Sequence, residues 1–283
     1  MPLHPDFTRS YDSLEGSKTC WLPLTDKGFL CRATADGSGI ALLEETPALA
    51  KLFPAASTIP LGTLNGVVYK ACELPLDLIS HPEFEGCSCV DLRKFYGAAS
   101  NEETLIAGYA AQILHWIRTS NFCPICGGTM SNPGKEWMRK CSSCGHERYP
   151  HVCPALLILV HDGADGILMA HKPGWGNRYS IFAGFVLPGE SLEECVHREV
   201  DEEAGVVVGE LAYAGSQPWP YPQQLMIGFR ARYLGGEIQI DEEELDDSRW
   251  FQVDALPELP GWQSLSRQMI EAWREERLTL RKV

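Results

Sequence analysis

The stretch from Arg198 to Val206, "REVDEEAGV", places four carboxylates within five residues: Glu199, Asp201, Glu202 and Glu203. What they can do depends on where they point. Ser191 followed three residues later by Glu194 is a capping box and Gly205 is a helix stop, so the spacing predicts a helix from about Leu192 to Ala204. At about 100° per residue, Leu192, Cys195, Val196 and Val200 form an apolar arc. Glu199 and Glu203 fall at its centre and Glu202 at its edge, one turn after Arg198. Glu193, Glu194 and Asp201 face the other way and need only water. Two carboxylates one turn apart on a buried face lose hydration and repel each other. A hard cation resolves both problems, and oxygen-only ligation favours Mg²⁺ or Mn²⁺ over Zn²⁺. The preceding "AGFVLPGE", Ala183 to Glu190, reads as a loop that brings backbone oxygens and Glu190 to the mouth of this helix.

A second constellation is softer. Cys123 and Cys126 in "CPICGG", and Cys141 and Cys144 in "CSSCGH", form two Cys-x-x-Cys pairs separated by 14 residues. Each turn presents two thiolates and is followed by a glycine that relieves the tight backbone, so the two turns predict a closed tetrahedral Zn²⁺ site. Such a site has no open position, and its role is to supply the stability that about 30 residues cannot obtain from a core. Cys87 and Cys89 could also meet a soft metal, but two ordinary thiols is the preferred reading.

The elements that must position these groups fall into three segments. Residues 1–119 read as a β-rich domain, with strands around the Asp26-Lys27-Gly28 and Asn65-Gly66 turns and a linking helix over 101–119. In that helix Asn101 is the expected N-cap, and Leu105, Ile106, Tyr109, Ile113, Trp116 and Ile117 form an apolar stripe. Residues 120–150 are the cysteine- and glycine-rich segment. Residues 151–283 mix strands and helices: "ALLILVHDGADGILMAH" predicts two strands about a turn, "SRWFQV" a strand, and "QSLSRQMIEAWREERL" a terminal helix.

The 283 residues carry a formal net charge of −14, which excludes general electrostatic attraction to nucleic acid but not capture of a nucleotide through a metal. No apolar run approaches the roughly 18–20 residues that span a bilayer, so no membrane partner is expected. "MPLHPDFTRSYDS" has no basic start followed by an apolar run, and the 11 cysteines are an odd number; both point to a cytoplasmic protein with reduced thiols.

Gly184, five residues, Glu190, seven residues, then Arg198-Glu199-Val200-Asp201-Glu202-Glu203-Ala204-Gly205-Val206 resembles the Nudix box without a departure. "SQPWPYPQQLM", Ser216 to Met226, is similar to the marker that follows the box in the NADH pyrophosphatase (NAD-capped RNA hydrolase) subfamily, with Tyr221 in the aromatic position and Gln224 where serine is usual. The cysteine cluster and a β-rich N-terminal region also match that subfamily. The resemblance implies an α/β/α sandwich behind a zinc ribbon. It also implies metal-assisted attack of water on the diphosphate of NADH, NAD⁺ or an NAD-capped RNA 5′ end, and a homodimer, for which the 101–119 stripe is available. It places the catalytic metal on the Ala183 carbonyl, Glu199, Glu203 and Glu244, with Glu242 and Glu243 as rivals of Glu244. The proton falls to Glu202 or Glu203, and Arg198 orients the carboxylates. Substrate contacts map to Glu136, Tyr149, Gln217, Pro218, Trp219, Pro220, Tyr221, Pro222, Gln223, Gln224 and Ser266. Phe185 stands either as a base-stacking ring or as a core ring. The three prolines of the marker predict a stiff loop. Three other activities remain open on the sequence: a broader hydrolase of ADP-ribose or dinucleoside polyphosphates, an enzyme dedicated to RNA caps, and a non-catalytic module.

Overall fold

The computed structural model describes residues 6–10, 18–53 and 57–281 and resolves two compact bodies. Most of the N-terminal stretch read for an export signal lies outside the described residues.

The first body comprises the described residues up to His151, together with Pro220–Gln223. Its strands are β1 (Thr8–Arg9), β2 (Lys18–Thr25), β3 (Gly28–Ala33), β4 (Ile40–Ala41), β5 (Leu43–Glu44), β6 (Ile59–Leu64), β7 (Val67–Glu73) and β8 (Cys87–Val90). They form one sheet of order β1-β6-β7-β2-β3-β4, with β5 on β2 and β8 on β3. The expected turns are present: Asp26–Lys27 joins β2 to β3, and Asn65–Gly66 joins β6 to β7. A short helix, α1 (Pro47–Leu52), precedes β6, and α2 (Asn101–Thr119) follows β8.

Ser100, not Asn101, is the N-cap of α2, because its hydroxyl accepts from the Glu103 N–H while the Glu103 carboxylate accepts from the Ser100 N–H. The stripe is also spent within its own body. Ile106 packs into the core of the sheet, and Ile113 and Trp116 pack with Trp137. It is therefore not a free surface for a partner.

Two short strands, β9 (Arg139–Lys140) and β10 (Glu147–Arg148), pair antiparallel within the cysteine-rich segment. The buried Arg139 guanidinium ties this segment to the end of α2, donating to the Ile117 and Ser131 carbonyls and to Ser120 Oγ.

The second body is an α/β/α sandwich. Its strands are β11 (Cys153–His161), β12 (Gly166–His171), β13 (Phe182–Phe185), β14 (Val207–Trp219), β15 (Gln224–Gly235) and β16 (Asp247–Gln252). The sheet runs β14-β15-β11-β12-β16, with β13 antiparallel to the first half of β11. Period-two alternation on β11 sorts the two faces. Leu156, Ile158 and Val160 pack against α3 (Leu192–Ala204), and Leu157 and Leu159 against α4 (Leu265–Leu280). Both helices were expected. The proline-rich marker is only half a loop: Ser216–Trp219 complete β14, and Pro218 pairs with Leu225. Proline fits there because β14 is the sheet edge, where the missing N–H breaks no ladder.

Candidate active site

Helix α3 begins with the expected capping box, Glu194 N–H to Ser191 Oγ at 3.2 Å and Ser191 N–H to the Glu194 carboxylate at 2.8 Å. It ends at Gly205, whose φ of 67° is open to glycine at little cost. Between these stops, Glu199 and Glu203 point inward. Their residues are 9% and 3% exposed, beside the fully buried Cys195, Val196 and Val200.

Strand β13 makes room for them. A Cβ on Gly184 would stand 1.7 Å from the Glu199 carboxyl carbon, so this position tolerates only glycine while Glu199 keeps its place. Ala183, the preceding residue, pairs with Leu157 of β11.

Arg198 fixes the carboxylates to the loop. Its guanidinium forms a two-pronged pair with Glu190, at 2.6 and 2.9 Å, and reaches Glu199 at 2.8 Å, Glu202 at 2.9 Å and the Phe185 carbonyl at 2.9 Å. The Arg198 hydrogen bonds, joined by the Leu187 N–H, hold the Glu190 carboxyl down at about 2. Burial pushes the Glu199 carboxyl above its ordinary value, against the pull of Arg198.

Glu203 is more extreme. Burial drives its carboxyl up to about 7, and the hydrogen bond from Lys172 offsets this only in part. One oxygen accepts from Lys172 Nζ at 2.9 Å; the other, Oε2, is buried without a partner. Lys172 also reaches Glu244 at 3.1 Å. All three neighbouring glutamates are exposed, and Glu244 is the one that shares Lys172 with Glu203. Lys172 itself was not read from the sequence; its only signal was a lone cation at the end of a predicted strand.

Glu190, Glu199, Glu202, Glu203 and Glu244 converge on two cations, Arg198 and Lys172. The cluster is short of positive charge, its donors are all oxygens, and one buried oxygen is orphaned. A hard divalent cation fits this set.

The remaining expected site residues divide between the bodies. Gln217, Trp219, Ser266 and Ala183 line a cavity of about 290 Å³ in the second body. The Gln217 amide is committed to backbone there, donating to the Gln263 carbonyl at 2.8 Å and accepting from the Leu265 N–H at 2.7 Å. Pro218 is exposed and Gln224 half-buried. Phe185 is 50% exposed at the end of β13, which excludes a core ring. Glu136, Tyr149, Pro220, Tyr221, Pro222 and Gln223 belong to the first body. There Glu136 is exposed on a turn with φ of 54°, Tyr149 is 47% exposed, and the Tyr221 ring lies under the Arg93 guanidinium, 4.3 Å from centroid.

In the first body Cys123, Cys126, Cys141 and Cys144 come together, all Sγ atoms within 4.8 Å of one another and two contacts at 3.5 and 3.7 Å. Tetrahedral Zn–S bonds of about 2.3 Å put sulfurs about 3.8 Å apart, so the cluster matches zinc. Backbone N–H groups of Ile125 and Ser143 point at the Cys123 and Cys141 sulfurs, and the backbone N–H groups of Cys144 and Ser143 draw the Cys141 thiol down to about 6. Gly127 and Gly145 take φ of 73° and 75° directly after each pair, the relief anticipated from the spacing. Cys87 and Cys89 join no such cluster among the described residues.

Residues 152–273 match the NUDIX domain family. Residues 18–116 match a family described as the NADH pyrophosphatase-like rudimentary NUDIX domain, a region in which the sequence reading identified no motif. The chain is 42% identical over 203 residues to the NAD-capped RNA hydrolase NudC of Pseudomonas aeruginosa, covering 71% of this chain and 73% of that one. It is 43% identical over 228 residues to the enzyme of the same name from Stutzerimonas stutzeri, covering 80% of each. A NUDIX hydrolase structure from Nitrosomonas europaea superposes with a TM-score of 0.48 at 21% identity, covering 56% of this chain and 93% of that one.

Proposed function

The chain belongs to the NUDIX family, and from that premise we propose that it hydrolyses the pyrophosphate bond of NAD(H), releasing nicotinamide mononucleotide (reduced from NADH) and AMP, and removes NAD caps from RNA 5′ ends. The observation that carries the reading is the buried pair Glu199 and Glu203 with its orphaned oxygen. The rudimentary NADH pyrophosphatase-like match and the names of the relatives narrow the substrate.

Glu199, Glu203, Glu244 and the Ala183 carbonyl hold Mg²⁺ or Mn²⁺. When bound, such ions neutralise the diphosphate and acidify water. Arg198 keeps Glu199 and Glu202 in place through its five hydrogen bonds to carboxylates and the Phe185 carbonyl. Glu202 takes the proton from the attacking water. Its side chain is open to solvent and only one of its oxygens is held by Arg198, whereas the Glu203 oxygens are buried. The stacking and polar contacts to substrate come from Trp219, Phe185 and Ser266 of the second body. Gln217 contributes by holding the loop before α4. The four-cysteine cluster holds one structural Zn²⁺. The domains divide at about 119 and 150, the enzyme works as a homodimer, and its seven cysteines outside the zinc cluster, none in a disulfide, suit the cytoplasm.

The test is a substrate panel of NADH, NAD⁺, ADP-ribose and NAD-capped RNA with products identified by mass. AMP and a nicotinamide mononucleotide from NADH support the reading. A specificity constant for ADP-ribose well above those of all three NAD substrates refutes it.

A further inference from the structure

The cavity that contains Ala183, Trp219 and Ser266 has a further wall that neither the proposed metal site nor the marker segment accounts for. Trp175 and Arg178, from the loop between β12 and β13, line it too. The Arg178 guanidinium stacks on the Trp175 ring, 4.9 Å from its centroid. Among the described residues of the second body, every other arginine lies against a carboxylate; Arg178 does not. An unneutralised, half-buried guanidinium stands out in a chain with a net charge of −14.

The loop that carries it is fixed. His171 bonds through one ring nitrogen to Asp246 and through the other to the Gly176 carbonyl at 2.7 Å. The Tyr179 N–H donates to the Glu258 carbonyl at 2.9 Å on the other side of Arg178. Arg178 is thus presented by a held turn.

The chemistry of the cavity is that of a nucleotide half-site. At about 290 Å³ it lies at the lower end of ligand pockets, roughly 300–1,000 Å³, which suits one half of a dinucleotide and not both. Trp175, Trp219 and Met226 offer flat, apolar surface for a ring. A guanidinium fork that no acid occupies matches the paired oxygens of a phosphate.

We propose that Arg178, held against Trp175, binds the phosphate of the nucleotide half seated in this cavity and so sets affinity for the substrate of the proposed reaction. The assignment deepens the diphosphatase reading and rests on it for the substrate. The phosphate contact can be tested separately.

The full chain and its Arg178→Gln, Arg178→Lys and Trp175→Ala variants are compared in two assays. In the first, steady-state hydrolysis of NADH, Arg178→Gln raises KM about tenfold and leaves kcat within about twofold, and lysine recovers part of the loss. In the second, tryptophan fluorescence without added divalent metal reports binding of AMP, nicotinamide mononucleotide and the phosphate-free adenosine. Arg178→Gln weakens the mononucleotide held in the cavity about tenfold and leaves adenosine unchanged, while Trp175→Ala weakens both kinds of ligand. An unchanged KM, a fall confined to kcat, or equal loss for AMP and adenosine overturns the assignment. If the wild type does not hydrolyse NADH, the diphosphatase reading fails, and the mononucleotide comparison still decides the role of Arg178.

Discussion

Glu203 concentrates the electrostatic cost of this site in one side chain. Its carboxyl titrates at about 7 in the metal-free fold against an ordinary value of 4.5. The folded protein therefore retains a proton that the unfolded chain gives up. The stability associated with that proton is fully present below about pH 4.5, is lost as pH rises to about 7, and changes no further above it. Thermal melts of the metal-free wild type and Glu203→Gln check this: the wild type loses stability relative to the variant between pH 5 and pH 7.5. A parallel pH profile for the two contradicts the buried, uncompensated carboxylate. A divalent cation held there would bind the ionised form, so its affinity is expected to weaken as pH falls below about 7. Among single residues, Glu199 and Glu203 were legible because helical period alone places them on the apolar arc. Lys172 was not, because nothing local says that a lysine after β12 meets a helix carboxylate 31 residues later. The commitment of the Gln217 amide to the 263–265 backbone was hidden for the same reason.

At the scale of elements, β13 and α3 form one device. The strand gives up a side chain at Gly184 so that the helix can place a carboxylate there. Gly184→Ala accordingly displaces Glu199 and abolishes most metal binding. Mn²⁺ titration by calorimetry measures this, with a loss of at least about 10–100-fold expected, the range already seen when only supporting residues around a metal are changed. Near-normal affinity would mean that Glu199 is not held as described. Both helix α3 and helix α4 were predictable from caps and apolar period. The N-cap of α2 was misplaced by one residue because Ser100 and Asn101 are equally good caps, and only the reciprocal bond with Glu103 decides. The marker segment was read as loop because three prolines dominate it. Its first half joins the sheet because β14 lies at the edge, and strand order is not a local property of the sequence.

At the scale of the molecule, both bodies have apolar cores, and only the cysteine-rich segment of the first relies on another means of stabilisation. The second has two apolar layers on either side of a six-stranded sheet, with Trp273 wholly buried beneath α4. The segment around the four thiols has little core of its own, its small cluster being Met130 with two of the cysteines. One zinc per chain is expected by metal analysis of protein purified without added metal. Cys126→Ser is expected to lose that zinc and to lower the melting temperature without altering the α/β/α body; less than about half an equivalent in the wild type contradicts the assignment. The cysteine spacing made this site legible. The relation of residues 18–116 to a NUDIX-like domain was not legible, since that region matches without chemical residues to mark it.

The central claim is that Glu199 and Glu203 organise cleavage of a dinucleotide at its diphosphate. Its most direct test is product analysis by mass after incubating NADH and Mn²⁺ with the wild type or with Glu203→Gln. The wild type is predicted to yield AMP and reduced nicotinamide mononucleotide in equal amounts, and the folded variant to yield less than about a hundredth as much. Cleavage at a bond other than the diphosphate, or equal product from the variant, would contradict the claim.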